Sequence, residues 1–250
     1  MNIGALIIGD ELLTGKRQDK HFSHLQQVLS QRGLELSWTI IVGDDPIQLE
    51  RMLTLTMASD DLVFSFGGIG ATPDDRTRQI AAKVKRLALT PHPEAIQAIE
   101  AQFGESAYPN RVLMGYLPQG SEIIPNPINR VPGFSLAHHH FMPGFPEMAW
   151  PMLTWVLDHH YPHLRDRRPI AERSIQIING RESDLLAVMN QIVTEYPDLL
   201  LSSLPTLSAE PYIDFSLRGQ EDAVQAAMEL MIQAVEKAGL YWSYHHADKK

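Results

Sequence analysis

With 250 residues, 44% apolar and 20% charged, the chain is long enough for one or two globular domains and is neither a disordered tract nor a fibrous repeat. Lys and Arg number 21 against 30 Asp and Glu, and a net charge of −9 argues against nucleic acid as a partner, because phosphate neutralisation needs a basic face. Cysteine is absent, which removes disulfides, thiolate metal sites and cysteine nucleophiles and suits a cytoplasmic protein.

No apolar run approaches the ~18 residues of a membrane span, so no membrane partner is expected. The first residues, Met1 to Ala5, lack a basic region ahead of an apolar stretch and read as a strand, not an export signal. That strand covers residues 2–8 and ends in Gly9-Asp10. Phe22, Leu25, Val28 and Leu29, followed by Gly33, have helical spacing with a glycine stop. A second strand is predicted over 35–42, ending at Gly43-Asp44-Asp45-Pro46. Leu49, Met52, Leu53, Thr56 and Met57 mark another helix, and residues 62–66 a third strand running into Gly67-Gly68-Ile69-Gly70. This alternation predicts a doubly wound α/β sheet.

Residues 75–103 read as helices broken at Thr90-Pro91-His92-Pro93. From 108 to 146 the density of Pro and Gly predicts long ordered loops with short strands near 122–124 and 138–141, then a helix over 149–157. Residues 162–169 combine proline with charge and serve as the boundary between a first domain over 1–165 and a second over 170–245. The second reads as a small α+β unit of order βαββα: strands at 174–178, 199–204 and 212–217, a helix at 184–194, and a last helix marked by Val224, Ala227, Met228, Met231 and Val235.

In open α/β sheets ligands bind beyond the carboxyl ends of the strands, and all three predicted strand ends here carry glycine and acid. The third is the richest. Gly67, Gly68 and Gly70 permit positive φ and close backbone approach, so their N–H groups form a candidate anion nest. Thr72 is expected to cap the following helix, with Pro73 in its first turn. Asp74 and Asp75 there complement a helix dipole, but two carboxylates beside a phosphate repel it unless a cation lies between them. Asp44 and Asp75 are therefore the candidate metal ligands for Mg²⁺ or another divalent cation, with K⁺ a further candidate.

The set Gly9-Asp10-Glu11-Leu12-Leu13-x-Gly15, Gly43-Asp44-Asp45, Gly67-Gly68-Ile69-Gly70-x-Thr72-x-Asp74-Asp75-x-Thr77, Asn126-Pro127, Pro132-Gly133-Phe134 and Pro143-Gly144-Phe145-Pro146-Glu147-Met148, in this order, closely resembles the amino-terminal region of the competence/damage-inducible protein A (CinA) family. That family belongs to the MoaB/MogA-like molybdopterin-binding fold, and the small second domain resembles the one that follows in the same family. The resemblance implies a three-layer αβα domain that binds a pterin or nucleotide phosphate at the strand ends, with molybdopterin a candidate ligand. It implies metal-dependent pyrophosphate hydrolysis on ADP-ribose-type substrates, Asp44 and Asp75 as site carboxylates, and Gly67, Gly68 and Gly70 as phosphate loop. By position, Thr77 matches the family's threonine after the aspartate pair, Asp10 and Glu11 its first acidic loop, and Asp19 the aspartate of an Asp-x-Asn element whose Asn is His21 here. Ala71 stands where Pro is common, and Asn129-Arg130-Val131 replaces a Gly-Thr-Ala stretch. The chain stops at Lys250, short of the amidase domain of full-length CinA, so NMN deamidation is not expected of it. Homo-oligomers, dimers or trimers, are implied by analogy.

Other patterns carry less. His138, His139 and His140 read as a strand in which at most the first and third share a face, and no carboxylate stands at ligand spacing. His159, His160 and His163 flank a helix end, while His92, His245 and His246 read as surface residues. Lys83 and Lys85 read as solvated, and Arg165, Arg167, Arg168 and Arg173 as a charged linker. Glu147 and Gly144 belong to a loop that is expected to line the site. Two alternatives to an enzyme remain at this point: a carrier or sensor that holds the same small-molecule ligand without chemistry, and an oligomeric interaction protein with a vestigial pocket.

Overall fold

The computed structural model describes residues 2–164, 170–206 and 211–244. The chain divides into two compact units, Met1–Arg167 and Arg168–Lys250. In the first, β1 (Ile3–Ile8), β2 (Trp38–Val42), β3 (Leu62–Phe66) and β8 (His139–Met142) run parallel. β7 (Gly133–Leu136) and β6 (Glu122–Ile124) extend the sheet antiparallel, giving the order β2-β1-β3-β8-β7-β6. Every residue of β1 is buried, as a parallel strand covered on both faces must be. Its period-two alternation sorts the core. Ile3, Ala5 and Ile7 pack with Leu25 and Leu29 of α2 (His21–Ser30) and with Met152, Leu153 and Val156 of α6 (Pro146–His160). Leu6 and Ile8 pack on the other face, with Leu49 and Leu53 of α3 (Pro46–Thr56) and Ile80 and Ala81 of α4 (Thr77–Lys85). The result is three layers, helix–sheet–helix.

Local chemistry sets several ends. Asp45 caps α3 by accepting from the Ile47 and Gln48 N–H groups at 3.1 and 2.9 Å, with Pro46 opening the first turn. The second strand begins at Trp38, three residues later than its pattern suggested. The break at 90–93 is a short strand, β4 (Leu89–Pro91), paired antiparallel with β5 (Tyr116–Pro118); α5 (Pro93–Phe103) follows it. A four-residue helix, α1 (Asp10–Leu13), stands directly after β1.

The second unit carries β9 (Ala171–Ile178), α7 (Glu182–Glu195), β10 (Leu200–Pro205), β11 (Tyr212–Gly219) and α8 (Glu221–Lys237), the expected order, and then adds β12 (Tyr241–Tyr244). Its sheet order is β10-β11-β9-β12. Ile175, Ile177, Phe215 and Leu217 form one side of a separate core against Leu185 and Ile192 of α7 and Val224, Met228 and Met231 of α8. Arg173 sits within β9 and pairs with Glu221 at 2.5 Å, so it is not part of a linker. Residues 165–169 and His245 and His246 lie outside the described residues.

The three consecutive histidines separate as strand geometry requires. His138 is exposed in a turn, while His139 and His140 are buried and point to opposite faces of β8. His139 Nε2 meets the Thr56 hydroxyl at 3.1 Å; His140 bonds the Ser135 hydroxyl at 2.8 Å through Nδ1 and the Tyr161 hydroxyl at 2.8 Å through Nε2. Burial lowers both pKa values, to about 4 for His139 and about 3 for His140, with neighbouring cationic groups adding to the effect. Both imidazoles stay neutral in the fold yet protonate near their ordinary value of 6.5 in the unfolded chain. Their contribution is fully present above that pH and is lost as pH falls toward about 4. The denaturant midpoint should therefore drop across that interval, and His139→Gln should flatten the slope; an unaltered slope in that variant would show that other groups carry the acid sensitivity.

Candidate functional site

The ends of β1 and β2 are tied by two carboxylates. Asp44 Oδ2 accepts from the Asp10 N–H at 3.0 Å, and Asp10 Oδ1 accepts from the Asp44 N–H at 3.0 Å. A Cβ on Gly43 would lie 2.2 Å from Asp10 Oδ1, so this reciprocal pair requires glycine at 43. Burial raises the pKa of Asp44, and the charges of Asp10, Glu11 and Asp74 push it the same way, while the Asp10 N–H opposes them. Asp74 lies fully exposed, and its pKa is lowered first by its hydrogen bond with the Thr72 side chain.

At the end of β3, Gly67 has φ 106° and a Cβ there would fall 2.3 Å from the Ile8 carbonyl oxygen; Gly68 has φ 68°. The Gly67 N–H donates to the Met142 carbonyl at 2.9 Å, which joins β3 to β8. Among the described residues no acceptor meets the N–H of Gly68, Ile69, Gly70 or Ala71. Thr72 does not cap the next helix, which starts five residues later at Thr77. Instead the Thr72 N–H and hydroxyl both donate to Asp75 Oδ2, at 3.0 and 2.5 Å, closing a tight acid-centred turn. Gly70 leaves room for that carboxylate, since a Cβ would meet Asp75 Oδ2 at 2.4 Å. Thr77 is buried beneath the loop, its hydroxyl donating to the Gly67 carbonyl at 3.2 Å and its N–H to the Gly68 carbonyl at 3.0 Å.

These ends enclose a cleft of about 460 Å³. Of the sequence-predicted residues, Asp44, Asp74, Asp75, Thr72, Glu11, Gly144 and the three glycines of the loop line it. Asp10 and Thr77 support the lining from behind, through the bonds just described. An adjoining cleft of about 520 Å³ takes Asp19, His21 and Glu147 and shares Glu11, Arg17, Gly144 and Phe145 with the first. Asp19 caps α2, accepting from the His21 and Phe22 N–H groups at 2.9 Å each. The His21 ring stacks on Phe66 with centroids 4.3 Å apart, and its Nε2 lies 3.1 Å from the Gly144 carbonyl. A carbonyl oxygen only accepts, so Nε2 carries the proton. Burial lowers this histidine's pKa against the opposing pull of the Gly144 carbonyl, Asp19 and Glu147, which keeps it neutral.

Sequence patterning missed Arg17, Phe103, Met114, Asn129 and Met148 as lining residues. Arg17 sits in the loop after α1 and carried no motif. Phe103 and Met114 come from α5 and the 3₁₀ turn Arg111–Gly115, brought to the cleft by Arg78, whose guanidinium is buried and donates to the carbonyls of Gly70 at 2.6 Å, of Tyr116 at 3.2 Å and of Leu113. Asn126 organises its own loop, its amide donating to Asn129 Oδ1 at 2.8 Å and the Val131 carbonyl at 3.0 Å. No group of three or more His, Asp or Glu among the described residues is placed to hold a metal by itself, and no helix among them is long and apolar enough to cross a membrane.

A parallel-centred three-layer α/β unit with a glycine loop and paired acids at its strand ends is of the class that takes its ligand at the carboxyl edge of the sheet. Residues 4–165 match the family described as "Probable molybdopterin binding domain", and the chain belongs to it. Its relatives include proteins named CinA-like. One from Geotalea uraniireducens is 28% identical over 95% of this chain and 58% of its own length; one from Geobacter sp. is 35% identical over 68% and 42%. The chain thus spans about half the length of the curated relatives it matches. The crystal structure of CinA from Thermoplasma acidophilum, a protein described there as of unknown function, superposes with TM-score 0.57 at 25% identity, over 63% of this chain and 98% of that one. Gly67→Ala should test the loop geometry directly: a methyl group against the Ile8 carbonyl at positive φ is expected to cost about 1–3 kcal/mol, read as a lowered unfolding midpoint. A midpoint equal to that of the parent would refute the packing described.

Proposed function

We propose that the cleft binds the phosphate of a pterin or nucleotide and, with a divalent cation such as Mg²⁺, hydrolyses the pyrophosphate bond of an ADP-ribose-type nucleotide. One observation carries this reading. Four consecutive N–H groups, of residues 68–71, lack an acceptor among the described residues, in a loop that lines a cleft otherwise rich in carboxylate. The N–H groups are suited to a phosphate oxygen, whereas Glu11, Asp44, Asp74 and Asp75 repel it. The acid set therefore fits a cation held by one or two carboxylates and completed by the ligand's own phosphates. When bound, such an ion polarises a phosphoryl group and lowers the pKa of a coordinated water. Asp44 and Asp75 are the residues to hold it. Burial and neighbouring acids raise the pKa of Asp44, so a counter-charge favours its ionised form, and Asp75 has its second oxygen, Oδ1, uncommitted to Thr72. The glycine-loop N–H groups bind and orient the phosphate. K⁺ as accompanying ion, molybdopterin as ligand and a homodimer or homotrimer are proposed on the family resemblance alone.

A second reading, a carrier or sensor without chemistry, is favoured by the lack of any three-ligand metal cluster among the described residues. Incubation with ADP-ribose and Mg²⁺, recording phosphate products and melting temperature together, separates the two. Asp44→Asn and Asp75→Asn each keep an acceptor oxygen for the N–H they now bind, so the fold should persist while turnover falls by roughly 10²-fold or more. A melting shift without product supports the carrier, and absence of both signals refutes a phosphate site.

A further inference from the structure

Arg17 holds a position that the hydrolytic reading does not use. Its N–H donates to the Glu11 carbonyl at 3.0 Å, which fixes the backbone at the rim where the two clefts meet. Its side chain is exposed, and among the described residues the guanidinium has neither a hydrogen-bond acceptor nor an ion-pair partner. Among the described residues it is also the single Lys or Arg in the lining of the 460 Å³ cleft, where four carboxylates stand, and it reappears in the lining of the 520 Å³ cleft beside Lys20. A cation that the fold leaves unpaired at such a junction is available to a ligand, and a guanidinium presents its donors in the planar fork that matches a phosphate.

The geometry of the shared rim sets what such a ligand looks like. A phosphate seated on the N–H groups of residues 68–71 lies in the first cleft, and whatever is bonded beyond it enters the second past Glu11, Arg17, Gly144 and Phe145. Glu11 repels a second anion at that point and Arg17 attracts it. We infer that Arg17 selects ligands with two linked phosphoryl groups over monophosphates, the first group resting on the glycine loop and the second on the guanidinium between the clefts. This rests on the phosphate-binding reading above, and it deepens it by naming the residue that reads the second phosphoryl group.

The test is equilibrium binding of ADP-ribose, as its non-hydrolysable α,β-methylene analogue, and of AMP, each with Mg²⁺, to the parent protein and to Arg17→Ala, Arg17→Lys and Lys16→Ala. Lys16→Ala removes the same charge from a side chain that lines neither cleft, which controls for the general field. The parent should prefer ADP-ribose. Arg17→Ala should lose roughly tenfold or more of that affinity, as expected for a charge-assisted hydrogen bond, while AMP binding stays unaltered. Arg17→Lys should recover part of the loss, and Lys16→Ala should behave as the parent. Melting temperature should not move in Arg17→Ala, since that side chain bonds nothing in the fold. Equal losses for both ligands, no loss for either, or the same loss in Lys16→Ala would overturn the role of Arg17 alone. A parent that binds AMP without preferring ADP-ribose would do so too. A parent that binds neither overturns the phosphate site itself, and this inference with it.

Discussion

The contact between Gly67 and the Ile8 carbonyl is the constraint on which the site depends. At that point the end of β3 leaves its parallel neighbour β1 with no space for a side chain against it, at a φ that L residues avoid. The same residue donates to the Met142 carbonyl and accepts from the Thr77 hydroxyl. One glycine therefore brings together the ends of β1, β3 and β8 and the start of α4. The direction in which residues 68–71 leave the sheet follows from this, and with it the location of four backbone donors that have no acceptor among the described residues.

Around that point backbone donors and acids oppose one another. Donors of the glycine loop sit in the same cleft as Asp44, Asp74 and Asp75, and two of these carboxylates also hold the structure. Asp75 closes the Thr72 turn, and Asp44 closes the junction of β1 with β2 through Asp10. Each therefore shapes the loop that carries it while presenting an anion to the cleft. Arg78 balances part of this from the protein side. Its charge is buried on three carbonyls, and Asp75 opposes the effect of that burial on it. A ligand meets backbone N–H dipoles, acids, two of which are tied into their own loops, and the Arg17 guanidinium, which has no partner among the described residues.

Much of this was legible in the residues, because the informative signals are local. β1 and β3 are short apolar runs ended by glycine, and α2, α3 and α8 show their buried stripes at helical spacing. Thr72 was misread for a definable reason. A threonine followed three residues later by an acid is what a helix start looks like, but here the acid's side chain turns back to Thr72 itself, and α4 starts only at Thr77. β7 escaped because it is four residues within a stretch dense in Pro and Gly, and β4 and β5 because they are three residues long and are held by partners remote in sequence, Leu89 opposite Pro118. β12 escaped for the same reason, as a four-residue edge paired to β9. Phe103 and Met114 have no local signature for the cleft at all; a buried arginine on α4 brings their segment there.

The division into two clefts has a physical basis of the same kind. The wall between them is the turn after β8, where a Cβ on Gly144 would lie 3.4 Å from the Gly67 Cα, so the turn packs directly on that glycine. On its far side the Gly144 carbonyl receives the His21 N–H, and the His21 ring lies on Phe66, the last residue of β3. The partition is thus one turn thick and held from both sides by groups that have little freedom: a glycine with no side chain to move, and an imidazole that burial keeps neutral and stacked. A rigid partition of that thickness separates the chemistry of the clefts without separating their contents. The glycine loop and the paired aspartates belong to one cleft and the histidine-floored recess to the other, while the shared rim at Glu11, Arg17 and Phe145 leaves a ligand free to occupy both.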